Sequence, residues 1–93
     1  MNRLSREVIE KELKSLNGWN FESDMIGKKF EFKNFKESLA FIVRIGLEAE
    51  ELNHHPNIFN VYNQVTIELQ AHDAGNTVTQ KDLQLAKAIE SIL

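Results

Sequence analysis

Ninety-three residues, 42% hydrophobic and 27% charged, suit one domain over residues 1–93 with a single core, and leave no material for a second. The formal charge of −3 is spread over interleaved acidic and basic side chains, which excludes the basic stripe that direct nucleic-acid binding needs. The absence of cysteine excludes disulfide scaffolds, thiolate metal sites and cysteine nucleophiles.

Leu4 to Leu16 reads as a helix: Ser5 is a good N-cap, Leu4 and Ile9 are spaced as a hydrophobic staple, and Ile9, Leu13 and Leu16 share a face. Asn17-Gly18 ends it. This N-terminal stretch lacks the apolar run of a signal peptide. The period then changes to two, with strands around Trp19–Phe21 and Phe30–Phe32 joined across Ser23 to Gly27. Asn34, with Glu37 three residues on, opens a second helix that runs to about Leu52. Its apolar side chains lie nearly all round, with Phe35, Leu39 and Ile42 on one stripe and Phe41, Ile45 and Leu52 on another. One stripe can cover a sheet, and the other calls for a subunit interface. The longest apolar stretch, Leu39 to Leu47, is interrupted by Arg44 and too short to span a bilayer, so a soluble cytoplasmic protein is expected.

After His54-His55-Pro56 come strands at Asn57–Tyr62 and Gln64 to about His72, then a last helix capped by Thr79 with Asp82 at the reciprocal position. The order α-β-β-α-β-β-α predicts an α+β fold, a four-stranded antiparallel sheet with its three helices on one face. Matching Phe59 and Val61 to Val65 and Ile67 on a shared core face predicts a three-residue loop, Tyr62-Asn63-Gln64. That register sets Val61 opposite Val65, Phe59 opposite Ile67 and Asn57 opposite Leu69. Extended backwards, it brings the level of His54 beside that of His72. The alternation also puts His72 in phase with Thr66, Glu68 and Gln70, on the face away from the core.

Each of these residues has a plainer structural reading: His54-His55-Pro56 as a helix-ending turn, Glu50 as a solvated helix residue, Tyr62 as a turn aromatic, Asp82 as a cap. Their joint spacing is more specific. Glu50, three residues, His54-His55-Pro56, five residues, Tyr62, nine residues, His72, nine residues, Asp82 resembles the signature of the pterin-4a-carbinolamine dehydratases. The likeness runs through Trp19, Phe30 and Phe32, Asn60-Val61-Tyr62-Asn63 and the final helix. The resemblance implies the α+β fold above, dimers through sheet edges and tetramers through the second helix. It also implies dehydration of 4a-hydroxytetrahydrobiopterin to quinonoid dihydrobiopterin, in tetrahydrobiopterin recycling, without metal or cofactor.

His54, His55 and His72 are then the catalytic set, with acid and base divided between His54 and His72 in either order, and His55 orienting the pterin or sharing the acid role. Glu50, Pro56, Tyr62 and Asp82 are carried over as substrate-binding positions, Asp82 either orienting a histidine or pairing with the pterin. The chain departs from the family's usual glycine, apolar residue, then Ser or Thr before the last helix: Gly75-Asn76-Thr77-Val78-Thr79 is one residue longer. Two rivals stand beside this reading. A zinc hydrolase could use the three histidines and Glu50, but adjacent His54 and His55 would diverge and no helical HExxH pair is present. An interaction protein could use the second helix, as animal members do as dimerisation cofactors of a homeodomain transcription factor. Another pterin, such as one of molybdopterin metabolism, is an alternative substrate.

Overall fold

A computed structural model describes residues 2–93. They form α1 (Arg6–Leu13), β1 (Asn20–Glu22), β2 (Met25–Glu31), α2 (Phe35–Leu52), β3 (Asn57–Val61), β4 (Gln64–Leu69), a 3-10 turn (His72–Ala74) and α3 (Gln80–Ser91). The four strands make one antiparallel sheet in the order β1-β2-β4-β3, and the α+β arrangement read from the sequence is the one observed.

The helix signals act where the residues place them. The Ser5 side chain accepts the Val8 N–H at 3.2 Å, and Leu4 packs against the core cluster that contains Ile9. The regular helix stops at Leu13, short of the expected Leu16, which is still buried. Asn34 accepts the Glu37 N–H at 2.9 Å, while the Glu37 carboxylate reaches back to the N–H of Lys33 at 3.0 Å. The core lies between the sheet and the helices, with Ile26, Phe30, Val65, Ile67 and Leu69 facing Ile9, Phe41, Ile45, Leu83 and Ile89. On α2 the stripe of Phe41 and Ile45 is buried against the sheet, whereas Phe35, Leu39, Val43 and Leu47 are exposed.

Two connections differ from the sequence reading. The β1–β2 loop is only Ser23-Asp24, with φ of 54° and 58°. Positive φ at both central residues defines the type I′ turn, whose twist matches the strands it joins. The β3–β4 loop is likewise two residues, Tyr62-Asn63, so Val61 pairs with Gln64, Phe59 with Thr66 and Asn57 with Glu68. The expected three-residue loop and its register are therefore wrong by one position, and a one-residue slip reverses both faces of a strand.

Ile58 and Asn60 look inward, while Phe59 and Val61 stand exposed on the open face. Polar bonding fixes this outcome against the apolar match. The Asn60 Nδ2 donates to Gln64 O at 2.9 Å and Tyr62 O at 3.2 Å. Asn63 clamps the turn to the end of β2, accepting from Phe32 N–H at 2.8 Å and donating Nδ2 to Phe32 O at 2.9 Å. Buried amides and carbonyls must be paired, and an inward asparagine that closes its own turn satisfies several of them at once.

Candidate active site

Helix termination delivers the first histidine. Asn53 takes a left-handed conformation at φ 51°, its N–H donates to Glu50 O at 3.1 Å, and the His54 N–H donates to Ala49 O at 3.0 Å. This pair of bonds is a Schellman closure, satisfying the last carbonyls of α2 and turning the chain sharply. His54 is thereby directed inward and is 8% exposed, while His55 remains at the surface.

The N-terminus of α3 supplies its partner. Asp82, 0% exposed, accepts the Thr79 N–H on Oδ2 at 2.8 Å and bonds His54 Nε2 through Oδ1. One carboxylate thus makes both the capping bond and a bond to a histidine, contacts that the sequence offered as alternatives. His55 Nε2 bonds Glu50 Oε1 at 2.8 Å, a contact open to solvent.

His72 arrives by a different route from the one expected. Strand β4 ends at Leu69, so the pleat's alternation does not reach His72, which opens the 3-10 turn instead. Ala71 is tied back by its N–H to Thr77 O at 2.8 Å, and Gly75 and Asn76 take positive φ of 82° and 58° to complete the loop. Within it, His72 Nδ1 bonds Asn76 Oδ1 at 2.7 Å.

The three histidines line one cavity of about 250 Å3 together with Asn53, Gln70, Asp73 and Lys81. Their convergence was expected from the signature, and that of His54 with His72 also from a hairpin register that the structure replaces. Of the substrate positions carried over, Glu50 and Asp82 each bond a histidine and do not line the cavity, and Pro56 follows His55 without lining it either. Tyr62 is elsewhere: 61% exposed, it sits past the far end of β3, which at ~3.4 Å per residue is more than about 13 Å from that strand's start.

Asn53, Gln70, Asp73, Asn76 and Lys81 were not identified from the sequence as site residues. Gly75-Asn76 carried a turn signal, but nothing in the spacing indicated which side chain the turn would aim at. A depression of similar size, about 280 Å3, lies on the open sheet face around Gly27 and Lys29 and contains no histidine. Volume therefore does not mark the site; the proton-handling groups do. Among the described residues, no three His, Asp or Glu side chains are grouped to hold a metal ion, and no helix is long and apolar enough to cross a membrane.

A helix-backed antiparallel sheet with a histidine-lined pocket defines the class, a small α+β protein. The model of the family Pterin 4 alpha carbinolamine dehydratase matches residues 2–92, and the chain belongs to that family. It is 47% identical over 93 residues to a protein of Christiangramia forsetii provisionally named a pterin-4-alpha-carbinolamine dehydratase, covering 100% of this chain and 95% of that one. Among solved structures, a transcriptional coactivator/pterin dehydratase from Brucella melitensis superposes with a TM-score of 0.92 at 35% identity, covering 98% of each chain. A pterin dehydratase-like protein, identified as a RuBisCO assembly factor in the alpha-carboxysome, shares the fold, with a TM-score of 0.69 at 23% identity over 82% of this chain and 89% of that one.

Proposed function

We propose that the chain dehydrates 4a-hydroxytetrahydrobiopterin to quinonoid dihydrobiopterin by general acid–base catalysis, in tetrahydrobiopterin recycling. The observation that carries this reading is the cavity in which three histidines from two loops meet, each with one ring nitrogen held by an acceptor. A proton is delivered to the C4a hydroxyl, the C–O bond breaks and water leaves. The N5–H proton passes to a base as the N5=C4a double bond forms. Product plus water account for every substrate atom, and no electron is transferred to or from an outside partner, so a proton donor and a proton acceptor suffice. Imidazole, with an unperturbed pKa of ~6.5, serves as either near neutral pH, and each positioned group contributes ~10²- to 10⁴-fold.

The test is dehydration of freshly generated 4a-carbinolamine. His54→Ala and His72→Ala each lower kcat by roughly 10²-fold or more while remaining folded. Full activity in both folded variants refutes the assignment. A wild type that does not accelerate the reaction over buffer makes the non-catalytic interaction protein the better reading, and activity only on another pterin relocates the substrate.

The same reading includes self-association into dimers or tetramers. Val43 and Leu47 on α2 are 62% and 66% exposed, a costly apolar stripe for a lone chain. Strand β3 is a sheet edge with no charged residue from Asn57 to Val61, so the usual guard against edge pairing is missing. Two β3 edges paired antiparallel about Phe59 set Tyr62 of one copy opposite Pro56 of the other, which is how Tyr62 would reach a site distant from it in its own chain.

A further inference from the structure

The acceptors that hold the three histidines are not equivalent. His54 and His55 are each bonded through Nε2 to a carboxylate, Asp82 and Glu50. His72 is bonded through Nδ1 to the side-chain oxygen of Asn76, at 2.7 Å. An amide oxygen cannot donate, so the proton of this bond belongs to Nδ1 of His72. Nε2 of His72 is then the free ring atom and makes no hydrogen bond among the described residues.

Asn76 is itself fixed. Its φ of 58° lies in the left-handed region that asparagine tolerates. Its N–H donates to Ala71 O at 3.0 Å, and its C=O accepts from Gln70 Nε2 at 3.1 Å. Gln70 Nε2 also donates to Asp24 O at 3.2 Å in the β1–β2 turn, which braces the loop against the sheet.

We propose that Asn76 is a positioning residue that holds His72 as the Nδ1–H tautomer and leaves its Nε2 as the base that takes the N5 proton. The proposal rests on the dehydratase reading and resolves the order of acid and base that the spacing left open. An adjacent carboxylate stabilises an imidazolium, and a neutral amide does so far less. The acid is therefore assigned to a carboxylate-backed histidine, with His54 the one bonded to a fully buried carboxylate, and the base to His72, whose Nε2 has no acceptor or donor bound to it among the described residues. The other charged groups at the cavity are Asp73, next to His72 in the chain, and Lys81 from α3, besides His54 and His55 themselves.

Two variants separate positioning from mere loop integrity. Asn76→Gly keeps a residue at ease with positive φ and deletes the amide, whereas Asn76→Asp keeps the acceptor and adds a charge. Nitrogen-15 NMR of the histidine rings is expected to show an unprotonated Nε2 on His72 in the neutral wild type and a mixture of tautomers in Asn76→Gly. The glycine variant is expected to lose about 10-fold in kcat with KM nearly unchanged, a fraction of what a positioned base contributes. Asn76→Asp is expected to move the base-dependent limb of the pH–rate profile to higher pH, because the new carboxylate favours the imidazolium. A wild-type His72 protonated on Nε2 overturns the proposal, as does an Asn76→Gly enzyme with wild-type kcat and pH profile. A wild type that does not dehydrate the carbinolamine at all overturns the dehydratase reading and the base role together. An active wild type indifferent to Asn76 overturns only the role given to Asn76.

Discussion

Asp82 is one carboxylate with two duties, and removing it tests both. In Asp82→Ala the Thr79 N–H loses its acceptor and α3 loses half of its capping box, the Thr79 cap itself remaining, a change that costs ~0.5–1.5 kcal/mol as one hydrogen bond. His54 loses the acceptor of its Nε2 at a site 8% exposed, and an unsatisfied buried donor costs ~1–3 kcal/mol. Together these give roughly 1.5–4.5 kcal/mol, which for a domain of this size lowers Tm by roughly 6–36 °C. Asp82→Asn keeps one acceptor oxygen and cannot serve both donors, so its expected loss is about half as large.

Urea unfolding followed by circular dichroism and Trp19 fluorescence measures stability. The dehydration assay, run on the folded fraction, measures activity. Both variants are expected to lose kcat by about 10-fold or more, since an unheld imidazole no longer presents a fixed nitrogen to the cavity. If Asp82→Ala loses less than about 0.5 kcal/mol, below the range of a lost hydrogen bond, or keeps wild-type kcat, the dual role is refuted.

Three further perturbations address the fold and assembly. Glu90 Oε2 accepts both Trp19 Nε1 at 3.0 Å and Lys28 Nζ at 2.7 Å, so Glu90→Ala is expected to cost about 1–3 kcal/mol in urea unfolding; a change within error would show that water replaces the carboxylate freely. The register of β3 predicts unequal costs for neighbouring apolar residues. Ile67→Ala, at 0% exposure, should lose ~2–5 kcal/mol, whereas Phe59→Ala, at 57%, should lose far less in a monomeric background; equal losses would restore the register that matched Phe59 to the core. The double variant Val43→Glu, Leu47→Glu is expected to sediment as a smaller species than wild type with an unchanged circular dichroism spectrum. Identical sedimentation of the two proteins, or a wild type that is monomeric at micromolar concentration, would remove α2 as an interface.

Elements whose signal is local were legible in the residues. Ser5, Asn34 and Thr79 open helices because a side-chain oxygen within three residues satisfies an otherwise unpaired N–H, and this needs no distant partner. The two apolar stripes of α2 were equally plain, since helical periodicity is a property of the chain itself. The slip in β3 arose where a local rule met a competing long-range bond. Phe59 and Val61 look like core residues by hydrophobicity, but Asn60 and Asn63 tie the turn to itself and to Phe32, and the register follows the polar groups.

For the site, the resemblance carried by the residue spacing implied His54, His55 and His72 as a set and left Asp82 either a cap or a partner of a histidine or the pterin. Which of those duties Asp82 performs was decided by the tertiary structure, because its two oxygens point in different directions only once α3 is packed against the end of α2. The partnership of His72 with Asn76 was likewise invisible in the sequence. It depends on a loop that doubles back between Ala71 and Thr77, and a hydrogen bond between side chains four residues apart in irregular backbone has no periodicity to announce it. The sequence by itself determined which groups are available to move protons; the folded chain decided which acceptor each one faces, and hence the chemical state in which each meets the cavity.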